Sequence, residues 1–214
     1  MANSRLPFAA SLKAVLFDLD GTLLDSAELH YEIYVQLFAE YGITFTRQQY
    51  IDAYSPNWTV TYKILGLPEQ LVPEANRRWL ELASGRVPAL FEGVPELLDH
   101  LAQPYRLGII TSGTRSRVLH DLEANGIEDW FEVIITGSDV SVPKPSPEGI
   151  LKALWQLGIP PGQALYVGDT EVDYQAASAA GTHFVAVVGG HAPLPAGLPC
   201  TCLPHISELQ DLLP

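Results

Sequence analysis

The sequence predicts an α/β protein that has a mostly parallel sheet, helices on both faces of that sheet, and a small all-helical domain inserted after the first strand. Short apolar runs alternate with helical patterns in the second part of the chain, as expected for a parallel sheet. Residues 26–88 contain helical patterns but no convincing strand. We therefore assign residues 1–25 and 89–214 to an α/β core domain and residues 26–88 to a helical insert.

The first strand is predicted at residues 14–17, which are apolar and end at the acidic pair Asp18 and Asp20. A helix is predicted at residues 26–41, where Ser26 occupies the N-cap position and apolar residues recur at helical spacing. Proline and glycine residues then separate several short helical patterns, which is typical of helix boundaries. The further helices of the insert are predicted at residues 46–54, 58–66 and 73–84.

Strands and helices alternate in the rest of the chain. Strands are predicted at residues 106–110, 133–135, 164–167 and 184–188. Helices are predicted at residues 94–102, 115–125, 146–157 and 171–180, with a short tail helix at 205–213. The Pro/Gly-rich stretch 189–199 is predicted to be a surface loop, and Cys200 and Cys202 lie in a strand-like stretch. This order of elements is that of a Rossmann-like sheet.

The composition narrows the class of function. The chain has 214 residues, of which 47% are hydrophobic, which is enough to build the core of one domain that carries an insert. Its 25 acidic and 12 basic residues give a formal net charge of −13, which argues against nucleic-acid binding. No apolar run is long enough to span a membrane, and the N-terminal segment does not resemble a secretory signal. Two cysteines are too few for a disulfide framework, so we expect a cytoplasmic protein. Because the acidic charge argues against nucleic acid, we expect the ligand to be a small molecule.

Polar side chains follow four of the predicted strands. They are Asp18 and Asp20, Thr111 and Ser112, Lys144, and Asp169. Ligands bind outside the carboxyl ends of the strands in open parallel sheets, so we expect these side chains to form one site. Carboxylates hold Mg²⁺, and a carboxylate also attacks phosphorus to form an aspartyl phosphate. Hydroxyl and ammonium groups stabilise charge on the transferring phosphoryl oxygens, so the set predicts phosphoryl transfer.

Four ordered motifs of the chain resemble those of the haloacid dehalogenase superfamily. They are Asp18-Leu19-Asp20-Gly21-Thr22, Thr111 after an apolar strand, Lys144-Pro145-Ser146-Pro147, and Gly168-Asp169-Thr170-Glu171-Val172-Asp173. The resemblance spans residues 13 to about 190, and the insert is similar to the helical cap of that family. It implies the phosphatase branch that includes phosphoglycolate phosphatases and β-phosphoglucomutase-like proteins.

The resemblance also implies a role for each acidic residue that matches a motif. Asp18 would be the nucleophile and a ligand of Mg²⁺. Asp20 would be the general acid/base, and its backbone carbonyl would bind the metal. Asp169 would complete the protein ligands of Mg²⁺. Asp173 would orient Lys144 or a water molecule on the metal.

The phosphoryl group of the substrate would be bound by Thr111, Ser112 and Lys144. The implied reaction is hydrolysis of a small phosphate monoester, and the implied partner is a small phosphorylated metabolite. Phosphoglycolate, sugar phosphates, nucleoside monophosphates and pyrophosphate all remain open as substrates. The chain is expected to be a monomer or a homodimer.

Proteins that resemble this chain but have activities other than phosphatase differ from it at a few recognisable features. Dehalogenases lack an acid at the position of Asp20. A phosphonate hydrolase would need a lysine in the cap, and Lys63 is the only lysine there. Sugar-phosphate mutases use a basic residue, usually arginine, from the cap, and residues 53–65 contain none except Lys63. A signalling receiver domain would lack both the insert and Asp20. Mutase and phosphonate hydrolase therefore remain the alternatives to a phosphatase.

Several aromatic and basic residues are predicted to have structural rather than functional roles. Tyr54, Trp58 and Tyr62 recur every four residues and are predicted to pack along one helix face. The arginines of the insert are predicted to be solvated helix charges, and they are Arg47, Arg77, Arg78 and Arg86. His183, His191 and His205 have no metal-ligand partners at suggestive spacing.

Overall fold

The structure is a computed structural model that describes residues 6–188, 190–191 and 193–214. The first five residues of the predicted core domain, and residues 189 and 192 of the predicted surface loop, lie outside the described residues.

The described residues form strands and helices in the alternating order that the sequence predicts. The strands are β1 (Ala14–Phe17), β2 (Leu24–Asp25), β3 (Ala89–Leu90), β4 (Arg106–Ile110), β5 (Val133–Ile135), β6 (Ala164–Gly168), β7 (His183–Val187) and β8 (Thr201–Leu203). The helices are α1 (Ala27–Glu40), α2 (Arg47–Ala53), α3 (Trp58–Ile64), α4 (Val72–Ala83), α5 (Val94–Ala102), α6 (Arg115–Ala124), α7 (Glu148–Leu157), α8 (Glu171–Ala180) and α9 (Leu209–Leu212). The α/β fold class is confirmed.

Six of the strands form one parallel sheet in the order β5-β4-β1-β6-β7-β8. Strand β1 lies between β4 and β6, with Ala14 opposite both Arg106 and Ala164. The carboxyl ends of these three strands therefore lie side by side. In an open parallel sheet this edge forms the ligand-binding crevice.

Alternate side chains of the sheet pack into two separate hydrophobic layers. Val15 and Phe17 of β1 belong to one layer, whereas Ala14 and Leu16 belong to the other. The first layer includes residues of α5, α6 and α9, and the second includes residues of α7 and α8. Helices therefore cover both faces of the sheet, which explains why its central strands are apolar on both sides.

Helices α1 to α4 have a hydrophobic cluster of their own, formed by buried aromatic and aliphatic side chains that include Tyr34, Phe38 and Tyr62. The chain enters this helical segment at β2 and leaves it at β3. These two short strands pair with each other in antiparallel fashion, Leu24 opposite Leu90 and Asp25 opposite Ala89. The two connections to the sheet therefore lie next to each other.

Several local expectations differ from the structure. Strands β2 and β3 were not predicted, because two residues are too few to show a periodic pattern. The helix predicted at 146–157 begins at Glu148, and the tail helix at 205–213 is a 3-10 turn at Ile206–Glu208 followed by α9. The strand-like stretch around Cys200 and Cys202 contains β8, and both cysteines are free thiols.

None of the helices in the described part of the chain is both long and apolar enough to cross a membrane.

We expect Gly108 of β4 to be required for the packing of the sheet. A Cβ atom at this position would lie 2.6 Å from Val133 Cγ1 and 2.9 Å from Leu16 Cδ2, so Gly108→Ala overpacks the core. The free energy of unfolding, measured in urea, should fall by about 1–3 kcal/mol. Gly162→Ala is the control, because no heavy atom lies within 4 Å of the added Cβ there. Equal stability of the two variants would contradict this account.

Candidate active site

The central strands of the sheet bring three of the predicted site residues together. Asp18 directly follows β1 and continues its hydrogen bonding, since its backbone N–H donates to the Val167 carbonyl at 2.8 Å. Thr111 follows β4, and its N–H donates to the Ile135 carbonyl at 2.9 Å. Asp169 directly follows β6. All three residues line one cavity, so the carboxyl ends of these strands bring them together as expected for a parallel sheet.

The Lys144 ammonium group is buried among polar atoms at the base of the site. Its Nζ atom lies 2.6 Å from Asp18 Oδ1 and 2.6 Å from Asp173 Oδ1, and it donates to the Tyr166 hydroxyl at 3.1 Å. Burial opposes the charge on Lys144, but the two carboxylates outweigh this effect and raise its pKa well above the usual value. Lys144 is therefore a buried cation that neutralises part of an acidic cluster.

Three carboxylates form this acidic cluster, with oxygens of Asp18, Asp169 and Asp173 all within 4.8 Å of one another. Burial, and to a lesser degree the nearby charge of Asp173, raises the pKa of Asp18 to about 7 although Lys144 lowers it. Burial and the charge of Asp18 raise the pKa of Asp169 well above its usual value. A further cation would relieve this repulsion, so the donor set fits a metal ion that prefers oxygen ligands.

Asp173 differs from the other two carboxylates because the protein already occupies both of its oxygens. Oδ1 accepts from Lys144 and from the Tyr166 hydroxyl, and Oδ2 accepts from the backbone and side chain of Thr170. Thr170 and Asp173 form the capping box of α8. This arrangement fixes Asp173 at the start of that helix, where its carboxylate accepts a hydrogen bond from Lys144.

Asp169 has weaker contacts with the protein. Thr22 Oγ1 donates to Asp169 Oδ1 at 3.4 Å, and the backbone N–H of His191 donates to Oδ2 at 3.3 Å. Both distances exceed the usual range for strong hydrogen bonds, so the carboxylate oxygens keep lone pairs for another ligand.

The Asp20 carboxylate is turned toward Arg117 rather than toward Asp18. Both oxygens accept from the Arg117 guanidinium, which also donates to Asp121 Oδ2 at 2.9 Å. Burial alone would raise the pKa of Asp20, but the charge of Arg117 outweighs it and holds this pKa well below its usual range. Arg117 was not predicted as a site residue. It lies on a helix 97 positions after Asp20, and no local sequence pattern indicates a contact over that separation.

Ser112 follows Thr111 and also lines the cavity. The Thr111 hydroxyl accepts from the backbone N–H of Gly113 at 3.1 Å, which fixes the turn between β4 and α6. The structure therefore places both predicted phosphate-binding hydroxyl residues on the side of the cavity next to Asp18.

Two histidines close the site near Asp20, and neither was predicted to belong there. His30 Nδ1 lies 3.1 Å from His191 Nε2, and His30 Nε2 lies 3.7 Å from Asp20 Oδ1. Burial lowers the pKa of His30 to about 4 and that of His191 to about 3, so both rings are neutral at pH 7. The expectation that residues 189–199 form a surface loop is thus wrong at His191, which is buried. Ser26 occupies the N-cap position of α1, as predicted, but its side chain makes no capping hydrogen bond, and its Oγ lies 3.4 Å from His191 Nε2.

The aromatic residues predicted to pack on one helix face line the cavity, and Tyr62 is also buried in the hydrophobic cluster of the helical segment. Tyr54 follows α2 and lies outside α3, which contains Trp58 and Tyr62. The Tyr54 ring stacks on His191 with 4.4 Å between the ring centroids. Tyr54, Trp58 and Tyr62 therefore do not share one helix face, because the chain bends between α2 and α3 and only Trp58 and Tyr62 lie on α3.

The predicted surface role of the arginines in the helical segment is confirmed. Each one pairs with a glutamate on the outside of the segment, in the pairs Arg47–Glu28, Arg77–Glu81, Arg78–Glu40 and Arg86–Glu32. Lys63 is exposed as well.

Several known proteins are similar to this chain in sequence and in fold. A model of the haloacid dehalogenase-like hydrolase family matches residues 15–187. The chain is 33% identical over 207 residues to pyrophosphatase PpaX of Bacillus velezensis, which covers 93% of this chain and 95% of the relative. A haloacid dehalogenase-like hydrolase from Bacteroides fragilis superposes with a TM-score of 0.83 at 28% identity, covering 92% and 99% of the two chains. CbbY from Rhodobacter sphaeroides, solved in complex with phosphate, superposes with a TM-score of 0.77 at 27% identity, covering 92% and 96%.

We expect Arg117 to contribute strongly to stability, because its side chain is 11% exposed and Asp121 is 2% exposed. Arg117→Met leaves Asp20 and Asp121 without their cation, so the free energy of unfolding in urea should fall by about 3–5 kcal/mol. Arg115→Met on the same helix is the control, since it removes an exposed pair with Asp139 and should cost about 1 kcal/mol or less. Similar losses in both variants would show that the Arg117 contacts act only as a surface ion pair.

Proposed function

Because the chain belongs to the haloacid dehalogenase-like hydrolase family, we propose that it is a Mg²⁺-dependent phosphatase that hydrolyses a small phosphate monoester through an aspartyl phosphate on Asp18. One observation carries the proposal above all others. The Asp18 carboxylate lies on the cavity wall, with Lys144 bound to one oxygen and Asp169 close by. A nucleophile, a cation and a second carboxylate therefore meet where a phosphoryl group can enter.

Asp18 is the nucleophile of the proposed reaction. One of its oxygens is held by Lys144, which leaves the other to attack phosphorus. The attack forms the Asp18–phosphorus bond as the bond between phosphorus and the ester oxygen breaks. Water then attacks the aspartyl phosphate, which releases inorganic phosphate and restores the Asp18 carboxylate.

Asp20 transfers the protons in both steps. In its acid form it protonates the departing ester oxygen, and as a carboxylate it accepts a proton from the attacking water. Its side chain is bound to Arg117 in the structure, so it must leave Arg117 and turn toward Asp18 before it can act. His30, 3.7 Å from Asp20 Oδ1, lies beside this path.

Thr111, Ser112 and Lys144 bind the phosphoryl oxygens. Thr111 and Ser112 lie at the carboxyl end of β4, next to Asp18, and both residues line the cavity. Lys144 offsets the repulsion between the anionic nucleophile and the phosphoryl group.

Asp18, Asp169 and the backbone carbonyl of Asp20 would hold Mg²⁺ at this site. The raised pKa values of Asp18 and Asp169 support this proposal, because clustered buried carboxylates are stabilised by a divalent cation. When bound, the ion would polarise the phosphoryl oxygens and offset their charge. Asp173 orients Lys144 through its Oδ1 atom.

The two parts of the chain have different roles in the proposed function. Residues 1–25 and 89–214 form the core domain that carries out the chemistry, and residues 26–88 form a cap that covers the site. The support for this division is that α1 to α4 have their own hydrophobic cluster, while Tyr54, Trp58 and Trp79 line the cavity above Asp18. Such a cap excludes water from the reacting groups.

Hydrolysis of pyrophosphate is the second candidate. It is favoured by the relatives named pyrophosphatase PpaX, which include proteins of Bacillus velezensis and Bacillus cereus at 33% and 32% identity. The mutase alternative lacks a free basic residue among the described cap residues that line the cavity, and the phosphonate hydrolase alternative would require the exposed Lys63 to turn inward.

We expect Asp18→Asn to abolish turnover, because an amide is a poor nucleophile toward phosphorus. Phosphate release should fall by about three orders of magnitude or more, while the circular dichroism spectrum stays unchanged. Asp99→Asn, on the exposed side of α5, is the matched control and should retain full activity. Near-normal turnover by Asp18→Asn would overturn the nucleophile assignment.

We expect Asp169→Ala to weaken Mg²⁺ binding at least about tenfold, because it removes one carboxylate from the metal ligands. The measurement is calorimetric titration of chelator-treated protein with Mg²⁺, in parallel with Asp99→Ala. An unchanged affinity in Asp169→Ala would contradict the proposed ligand set.

A further inference from the structure

The cavity above Asp18 is small. Its volume is about 130 Å³, and it lies between the strand ends of the core and the helical segment. Protein cavities of about 150 Å³ hold a single benzene ring. The phosphoryl group of a substrate would occupy the part of this cavity beside Asp18, so the leaving group is no larger than about one ring.

Aromatic side chains form the walls of this cavity on the side away from the sheet. Trp58 and Tyr62 lie next to each other with 5.7 Å between their ring centroids. Trp79, on α4, packs against His30 with 5.3 Å between the ring centroids and the two ring planes at 71°. Leu80 and Pro56 add apolar surface. The indole Nε1 of Trp79 is buried and has no hydrogen-bond partner among the described residues, so the wall also contains an unsatisfied donor.

Positive charge is nearly absent from the same walls. Arg117 is the one arginine among the described lining residues, and its guanidinium is already bound to Asp20 and Asp121. The four arginines of the helical segment pair with glutamates on its outside. A second phosphate group would therefore enter a cavity that has aromatic walls and no unpaired cation to receive it.

From this combination we propose that the cavity receives an uncharged aromatic leaving group, so that the substrate is the phosphate monoester of an aromatic alcohol. This inference rests on the proposed phosphatase activity. The reaction breaks the bond between phosphorus and the ester oxygen, and the aromatic alcohol leaves with a proton from Asp20. Water supplies the oxygen of the inorganic phosphate. Stacking and burial of the ring favour this substrate class over pyrophosphate and over small aliphatic esters.

The test compares benzyl phosphate, ethyl phosphate and pyrophosphate with the full chain in the presence of Mg²⁺. Benzyl and ethyl phosphate have leaving alcohols of similar acidity, so their difference reports on the cavity rather than on leaving-group chemistry. We expect kcat/KM for benzyl phosphate to exceed that for ethyl phosphate about tenfold or more, with pyrophosphate lower still. Equal values for the two esters would overturn the inference while leaving the phosphatase proposal intact. A preference for pyrophosphate would overturn the inference and favour the second candidate function.

Two variants test the walls directly. Trp58→Ala should lower kcat/KM for benzyl phosphate about tenfold and leave ethyl phosphate within about twofold. Leu80→Arg places a cation at the cavity and should shift the preference toward pyrophosphate. Trp155→Ala is the matched control, because Trp155 is 84% exposed on α7, away from the cavity. Equal loss on both esters in Trp58→Ala would point to a general structural defect and would count against the inference.

A binding measurement separates failure of the inference from failure of the proposed function. Calorimetric titration with benzylphosphonate and ethylphosphonate, which contain no hydrolysable ester bond, should show tighter binding of the benzyl compound. If no ester is hydrolysed but benzylphosphonate binds more tightly, the phosphatase proposal fails and the aromatic cavity stands. If the two phosphonates bind alike, the aromatic cavity fails whatever the turnover shows.

Discussion

The site depends on one buried ammonium group. Lys144 Nζ lies 2.6 Å from oxygens of both Asp18 and Asp173, and all three side chains are buried. Without it, three buried carboxylates would share this space and repel one another, and the charged state of Asp18 would be strongly disfavoured. The parallel sheet creates this crowding, because β1 and β6 end side by side and each is followed directly by an aspartate.

The arginine beside Asp20 has the opposite effect from Lys144. Lys144 holds Asp18 close to the neighbouring carboxylates, whereas Arg117 draws the Asp20 side chain away from them. The two acidic residues of the first motif, only two positions apart, therefore have different environments and opposite pKa shifts. Such a separation suits a pair in which one group forms a bond to phosphorus and the other moves a proton.

Much of the architecture, and the grouping of candidate site residues at one edge of the sheet, was predictable from local patterns. Apolar runs that end in Asp18, Thr111 and Asp169 predict buried strands with polar ends, and the rule for parallel sheets brings those ends together. Arg117 and His191 escaped prediction because their roles arise from contacts across the fold, Arg117 with Asp20 and His191 with His30. Tyr54 escaped it because the chain bends between Ala53 and Trp58, so its spacing to Trp58 and Tyr62 does not describe one helix.

The short ribbon of β2 and β3 has a consequence for how proteins of this architecture diversify. The two connections between the sheet and the helical segment are held next to each other by the pairing of Leu24 with Leu90 and of Asp25 with Ala89. A segment inserted between these two pairs begins and ends at neighbouring positions. Its length and sequence can therefore change without a change in the register of the sheet. The helical segment can therefore be replaced in evolution while the residues at the carboxyl edge of the sheet keep their positions.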